Sequence, residues 1–195
     1  MKNTICVFIC ALALSACTTT AQAPAPQSLP ALTFEQMQPV ALNVAKIEVS
    51  DEFNTPVTEG HVEQLFPLSP ASAAKNLAEK KLTAEGSGNI LRVIIEDGSV
   101  KETKLPVGQD FWSNFSREPS ERYDARVSLR FELVNEQAPD VVIGHASVVA
   151  ERAKTVLEGT SPADRDRAWT EMTNEMMSDL YNGFDGVVRN TFAKP

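Results

Sequence analysis

Two histidines are the residues of this sequence best suited to acid–base or metal chemistry. His61 has Glu63 two residues away, and imidazole and carboxylate groups are common metal ligands. A third ligand of an obvious kind is missing nearby, so the pattern favours a solvated loop histidine. His145 falls in a predicted strand, where a sheet-face residue is the simpler interpretation. Gly86-Ser87-Gly88 has neither the spacing of a hydrolase nucleophile nor that of a phosphate loop. We therefore expect no enzyme and no metal site.

Three aromatic residues crowd a short connection between predicted strands, where turn residues would be ordinary. They are Phe111, Trp112 and Phe115. Aromatic side chains are enriched in binding hot spots and at membrane interfaces, so they are candidates for contact with a partner protein or with lipid. The alternative is that this connection folds back and buries the three rings against the core.

A second candidate surface is basic. Arg122, Arg126 and Arg130 recur every four residues along a predicted strand, which places them on one face. Further cations occur nearby at Lys101, Lys104 and Arg117. Such a patch would bind the phosphate groups of lipid A or an acidic partner. The alternative is a solvated sheet face that Asp124 and Glu132 neutralise.

The composition excludes several classes of protein. The chain has 195 residues, of which 43% are hydrophobic and 23% charged, so neither a disordered chain nor a membrane-spanning bundle is expected. Acidic residues number 26 and basic residues 18, giving a net charge of −8. Because nucleic-acid binding needs clustered cations, we expect no nucleic-acid partner.

The first 16 residues have the pattern of a signal peptide. Lys2 supplies a positive charge, and an apolar run of about ten residues follows, far short of the roughly 20 needed to span a bilayer. Leu14-Ser15-Ala16-Cys17 then resembles the bacterial lipobox, in which small residues precede a cysteine. The resemblance implies cleavage before Cys17, which would carry a covalent diacylglycerol and an N-acyl chain and no other cofactor. An ordinary secretory signal followed by an unrelated cysteine is the alternative.

The anchor predicts a location in the cell envelope. Several acyl chains hold a protein stably on a membrane. Thr18 follows the cysteine, whereas an Asp there favours the inner membrane in the enterobacterial sorting scheme; its absence favours the periplasmic side of the outer membrane. Residues 17–38 are small, polar and proline-rich, which predicts a flexible tether spanning roughly 25 Å. Residues 39–195 are predicted to form a single domain.

Hydrophobic periodicity predicts the elements of that domain. The strands and helices alternate as follows: a strand over 40–49 with a bulge near Ala45, a helix from Ser69-Pro70 that ends at Gly86 and Gly88, a strand over 90–95 that extends towards 104, a strand over 123–133, a turn at Ala138-Pro139-Asp140, a strand over 141–156, and a helix from Ser161-Pro162 with a bend or break at Gly183 and Gly186. Proline after a serine cap is typical of a helix start.

These elements predict an α+β fold, a two-layer sandwich. Both helices would cover one face of a four-stranded sheet in the order β-α-β-β-β-α. Strict alternation over 123–133 indicates that the other face is polar and open. Trp169, Met172 and Met176 recur at helical spacing and are assigned to the core.

The lipobox, the tether and this order of elements together resemble a group of small bacterial envelope lipoproteins. The group contains the lipopolysaccharide (LPS)-assembly lipoprotein and the auxiliary lipoproteins of ABC-type and mammalian-cell-entry lipid transporters. Two segments read most like a signature, namely Glu121-Arg122-Tyr123-Asp124-Ala125 and Arg165-Asp166-Arg167-Ala168-Trp169, which resemble lipoproteins of alphaproteobacterial type. The resemblance implies a non-enzymatic adaptor or auxiliary subunit, with an envelope transport or assembly protein as partner. The alternative is a module that itself holds a lipid, LPS or another glycolipid.

Overall fold

The computed structural model describes residues 34–106 and 117–191. Within these ranges the chain forms seven strands, two α-helices and short 3-10 helices at Phe34–Gln36 and Glu63–Leu65. The strands and helices, in chain order, are β1 (Val40–Leu42), β2 (Lys46–Asp51), α1 (Pro70–Lys81), β3 (Leu82–Ala84), β4 (Asn89–Asp97), β5 (Val100–Lys104), β6 (Pro119–Asn135), β7 (Ala138–Leu157) and α2 (Pro162–Thr191).

Strand β6 organises a five-stranded mixed sheet. One edge of β6 pairs antiparallel with β7 over almost its whole length. The other edge pairs with β4 over residues 128–135 and with β5 over residues 121–125, and β2 adds to β4 in parallel. Strands β1 and β3 form a separate parallel pair. The fold is therefore α+β as predicted, but the single four-stranded sheet is wrong in detail.

Two local breaks explain the extra strands. Near Ala45, where a bulge was predicted, the chain turns, with the Val44 amide donating to Leu42 O over 2.9 Å, and β1 leaves the main sheet to pair with β3. The predicted 90–104 strand divides at Gly98, because Asp97 Oδ1 accepts a hydrogen bond from the Ser99 amide over 2.9 Å. Helix α1 packs closely against the chain at this break, since a Cβ at Gly98 would lie 2.9 Å from Ala71 Cα.

Both predicted helix starts are confirmed. Ser69 Oγ accepts from the Ser72 amide over 3.3 Å, and Ser161 Oγ accepts from the Asp164 amide over 3.2 Å. The first helix ends earlier than predicted, at Lys81, because Leu82 begins β3. The predicted break in the second helix is wrong, since α2 continues past Gly183 and Gly186 to Thr191.

The β6–β7 hairpin also turns slightly earlier than predicted. The two turn residues are Glu136 and Gln137, and Asn135 Oδ1 accepts from the Gln137 amide over 2.8 Å. Ala138 and Pro139 already belong to β7. Pro139 is tolerated there because β7 is an edge strand of the described sheet.

The core lies between one face of the main sheet and the two helices. Tyr123, Val127 and Phe131 point into it from β6, and all three are buried. Phe131 packs edge-on against Phe184 of α2, with ring centroids 5.4 Å apart. Trp169 of α2 lies edge-on to Tyr123 at 5.4 Å and, with Met172 and Met176, is buried as predicted. The opposite face of the sheet is left to solvent over much of β6 and β7.

Candidate interaction surface

The open face of the sheet carries the predicted column of arginines. Arg122, Arg126 and Arg130 alternate along β6 with the buried residues of the core face. Arg92 joins them from β4, opposite Glu132. The four side chains are about one-third to one-half exposed, so their guanidinium groups are accessible while their aliphatic stems pack on the sheet.

Each of these arginines already has a carboxylate partner. Arg122 donates to Asp124 from two nitrogens, over 2.9 and 2.7 Å. Arg126 bridges two strands, with Asp97 Oδ2 at 3.3 Å from Nε and Glu151 on the other side. The remaining pairs join Arg130 to Glu96 at 2.6 Å and to Glu132, and Arg92 to Glu48 at 3.6 Å. The open face is thus a network of paired opposite charges. Asp124 and Glu132 pair with arginines there, as the alternative to a basic patch predicted.

Two shallow grooves cross this face. One, with a volume of about 430 Å³, is lined by Arg122, Asp124, Ala125, Arg126, Glu151, Arg152 and Ala153. The other, of about 380 Å³, is lined by Glu48, Val49, Ser50, Glu52, Arg92, Ile94, Arg130 and Glu132. Both are open depressions lined largely by charged side chains, which suits a flat polar contact better than an enclosed apolar ligand.

The charge pairs shift the ionisation of their acids. A hydrogen bond from Arg122, together with its charge, holds the pKa of Asp124 below its ordinary value. A hydrogen bond from Lys46 does the same to the pKa of Glu48. These carboxylates therefore stay ionised at neutral pH, and the face stays balanced in charge.

The other three cations of the predicted patch are divided. Lys101 lies on the open face, opposite Asp124. Lys104 instead donates to Glu121 Oε1 over 3.1 Å and also pairs with Glu102. Arg117 donates to the backbone oxygen of Glu158 over 3.0 Å. The basic patch is thus narrower than the sequence indicated, and it is centred on β6.

Sequence reasoning missed a second charged cluster, around Glu121. Its carboxylate accepts from Arg165 over 3.0 and 3.1 Å, from Lys104 and from the Tyr123 hydroxyl over 2.6 Å. Burial raises the pKa of Glu121, but the hydrogen bonds from Tyr123 and Lys104 and the charge of Arg165 outweigh it, so the net pKa is lowered. Burial and the same hydrogen bond raise the pKa of Tyr123. The two signature-like segments, 121–125 and 165–169, therefore meet in space.

The Lys104–Glu121 contact and two nearby backbone hydrogen bonds join the strands that flank the aromatic segment. The Leu105 amide donates to Ser120 O over 2.8 Å, and Glu158 donates from its amide to Glu118 O over the same distance. Phe111, Trp112 and Phe115 themselves lie outside the described residues. The segment that contains them joins the sheet at the ends of β5 and β6 remote from the β6–β7 turn.

The two histidines lie in different parts of the fold. His61 is partly buried rather than solvated, with Nδ1 3.5 Å from Glu63 Oε2. That same oxygen accepts from the Val100 amide over 3.1 Å, so Glu63 ties the 3-10 helix to β5. His145 is exposed on the open face, opposite Glu132. Across 34–106 and 117–191, no three His, Cys, Asp or Glu residues are grouped as metal ligands would be.

No helix within the same two ranges has both the length and the apolar character to cross a bilayer. No protein-family model matches the sequence, and the comparison with curated proteins finds no match.

Solved structures give a partial likeness. A minor lipoprotein of Acinetobacter baumannii is 10% identical, with 80% of this chain and 99% of that chain covered and a TM-score of 0.42. Rare lipoprotein B of Shewanella oneidensis is 11% identical, with coverages of 74% and 97% and a TM-score of 0.37. A Xanthomonas campestris protein of the DUF330 family is 11% identical, with coverages of 77% and 91% and a TM-score of 0.33. We carry over no residue role from these structures.

Proposed function

We propose that this chain is a lipid-anchored lipoprotein of the bacterial cell envelope that acts as a non-enzymatic adaptor. Cys17 would hold it, by diacylglycerol and an N-acyl chain, to the periplasmic side of the outer membrane. Its partner would be a protein of an envelope lipid or LPS transport or assembly complex. The observation that supports the adaptor role is the sheet face that neither helix covers, with its network of accessible, paired arginines.

The open face is suited to exchanging its charge partners. Arg126 and Arg130 each have one exposed carboxylate partner, Glu151 and Glu96, beside a less exposed one, Asp97 and Glu132. The exposed ion pairs contribute only about 0–1 kcal/mol each. A carboxylate or phosphate group of a partner can therefore replace an internal acid at little cost. Arginine offers such a group two parallel hydrogen bonds in a fixed geometry, which adds specificity.

We also assign Phe111, Trp112 and Phe115 to the contact with the partner. The segment that contains them joins the sheet at the start of β6, whereas the described chain begins near the opposite end, where Gln38 O accepts from the Tyr181 hydroxyl over 2.9 Å. The 17 residues of β6 separate the two ends by about 55 Å. A tether of roughly 25 Å is shorter than this separation, which favours the protein partner over the anchoring membrane as the contact of Phe111, Trp112 and Phe115.

The alternative, a module that holds a lipid or glycolipid, has less support. Phe131 of β6 and Met176 and Phe184 of α2 are fully buried and belong to the same hydrophobic core between the sheet and the helices. The two open-face grooves are lined mainly by charged side chains. An acyl chain needs an apolar cavity, and neither of these two grooves offers one.

Affinity purification of the acylated protein from detergent-solubilised envelopes tests the adaptor role. The test variant is Arg126→Gln with Arg130→Gln, and the matched control is Lys154→Gln, which breaks an ion pair with Glu171 on the helix side of β7. We expect a defined envelope protein to co-purify with the unchanged and control proteins and to be lost with the test variant. Co-purification that survives the test variant would remove the open face from the contact.

A further inference from the structure

Three consecutive apolar residues are exposed beside the β6–β7 turn. Val141, Val142 and Ile143 are 52%, 45% and 52% exposed. A single exposed valine is ordinary, but in a regular strand alternate residues would turn inward. Here three neighbours in a row are accessible, and together they form an apolar tip at one end of the sheet.

Irregular pairing at the start of β7 produces this exposure. Asn135 is opposite Ala138 and Val134 opposite Val142, while Leu133 is opposite Gly144. The register therefore slips twice within seven residues of β7, and neither Val141 nor Ile143 has a partner on β6. Bulges and an edge proline make a strand edge unfit to pair with another strand, and Pro139 lies two residues before Val141. A second copy of the chain is thus a poor occupant for this tip.

The apolar tip lies at the end of the domain where the chain enters from the proposed anchor. The Glu136 amide, in the turn, faces Gly88 O at 3.5 Å, and Ala45 donates from its amide to Asn89 O over 2.7 Å. Helix α1 ends at this same end, and Lys80 Nζ lies 5.7 Å from the ring centroid of Phe34, the first described residue. Only residues 18–33 separate Phe34 from Cys17, a coil length of roughly 20–25 Å.

We propose that Val141, Val142 and Ile143 contact the surface of the bilayer that holds the acyl chains of Cys17. The inference rests on the proposed lipid anchor. It adds a second membrane contact, made by the protein itself, that fixes the orientation of the domain relative to the bilayer. The short tether keeps this end of the domain near the lipid, and the apolar side chains fit the boundary between headgroups and acyl chains. The exposed acids Glu136 and Asp140 beside them limit the contact to that boundary. The start of β6 would then be the end of the sheet farther from the bilayer, and the open face would be accessible to a partner in the periplasm.

Fluorescence of single-cysteine variants tests the contact. In the acylated chain Cys17 is blocked, and Cys6 and Cys10 lie in the predicted signal, so an introduced cysteine is the one free thiol. Val142→Cys and Ile143→Cys are the test positions. Val149→Cys is the matched control, since Val149 is a valine of the same strand with 44% exposure. Each is labelled with an environment-sensitive dye and reconstituted in vesicles of phosphatidylethanolamine and phosphatidylglycerol, with or without a spin label on the lipid acyl chain.

We expect a blue shift and loss of fluorescence to the spin-labelled lipid at 142 and 143, and neither change at 149. Equal quenching at all three positions, or none at any, would overturn the proposal. A blue shift at 142 without lipid quenching would also overturn it, in favour of a protein contact. Flotation of the acylated protein against Cys17→Ala separates this result from the anchor: if the protein floats but 142 is not quenched, the anchor stands and the tip contact fails.

Discussion

Two glycines three residues apart in α2 should respond to alanine with opposite signs. At Gly186 an added Cβ meets nothing within 4 Å, whereas at Gly183 it would lie 2.4 Å from Val148 Cγ1. Alanine is favoured over glycine in a helix by about 0.5–1 kcal/mol. Gly186→Ala should therefore raise the free energy of unfolding by that amount.

Gly183→Ala makes the same helical gain but overpacks the contact with β7. Val148 is nearly buried and β-branched, so it has little freedom to rotate away. Overpacking of this kind costs about 1–3 kcal/mol, which makes the alanine variant at 183 less stable than that at 186 by about that amount. At about 2–4 °C per kcal/mol for a chain of this size, the two melting temperatures should differ by about 2–12 °C.

Thermal unfolding of the unacylated chain from residue 18, followed by circular dichroism, measures this difference. Combining Gly183→Ala with Val148→Ala should lower the melting temperature by less than the sum of the two single changes, because the second change removes the crowded methyl group. The reasoning is refuted if both single alanine variants raise the melting temperature equally, since α2 would then not pack on β7 through Gly183.

Three further outcomes follow from the caps, the buried acid and the anchor. Ser161→Ala removes the acceptor for the Asp164 amide and should lower the free energy of unfolding by about 1 kcal/mol, measured by urea denaturation. Glu121→Gln should cost about 1–3 kcal/mol at pH 7. The folded pKa of Glu121 lies below its ordinary value of 4.5. Its contribution to the free energy of unfolding is therefore full above that value and is lost as the pH falls through the folded pKa. The variant should lose less stability on acidification than the unchanged protein, and equal acid profiles would contradict this. Cys17→Ala should move the protein from the membrane to the soluble fraction on cell fractionation, and an unchanged distribution would count against the lipid anchor.

Local patterns predicted much of the fold because they report local physics. Alternation over 123–133 predicted a strand with one buried face, which the structure confirms from Tyr123 to Phe131. Serine followed by proline predicted both helix starts. The departures are tertiary effects: Leu82 continues the helical period of α1 but is drawn into β3 by pairing with Val40. Gly183 indicates a weak helix on propensity, yet it is the position where α2 approaches β7.

The candidate surface was predictable only in part for a similar reason. A spacing of four on a strand places Arg122, Arg126 and Arg130 on one face. Their acids on neighbouring strands, such as Glu96 and Glu151, depend on the strand register, which the local sequence does not encode. The same holds for Glu121 and Arg165, which are 44 residues apart. One weak signal for that pair lies in the sequence: the segments that contain the two residues, 121–125 and 165–169, both resemble lipoproteins of alphaproteobacterial type.

Site-specific photo-crosslinking from the open face tests the adaptor role most directly. In the test variant a photo-reactive phenylalanine derivative replaces Ala153, which is exposed and lines the larger groove. In the control variant it replaces Ser178, which is exposed on α2. In intact cells that make the acylated full chain, we predict a discrete crosslink to an envelope protein from 153, none from 178, and its loss in Arg126→Gln with Arg130→Gln. Crosslinks of equal strength from both positions, or none from 153 while the protein remains membrane-bound, would contradict docking through the open face.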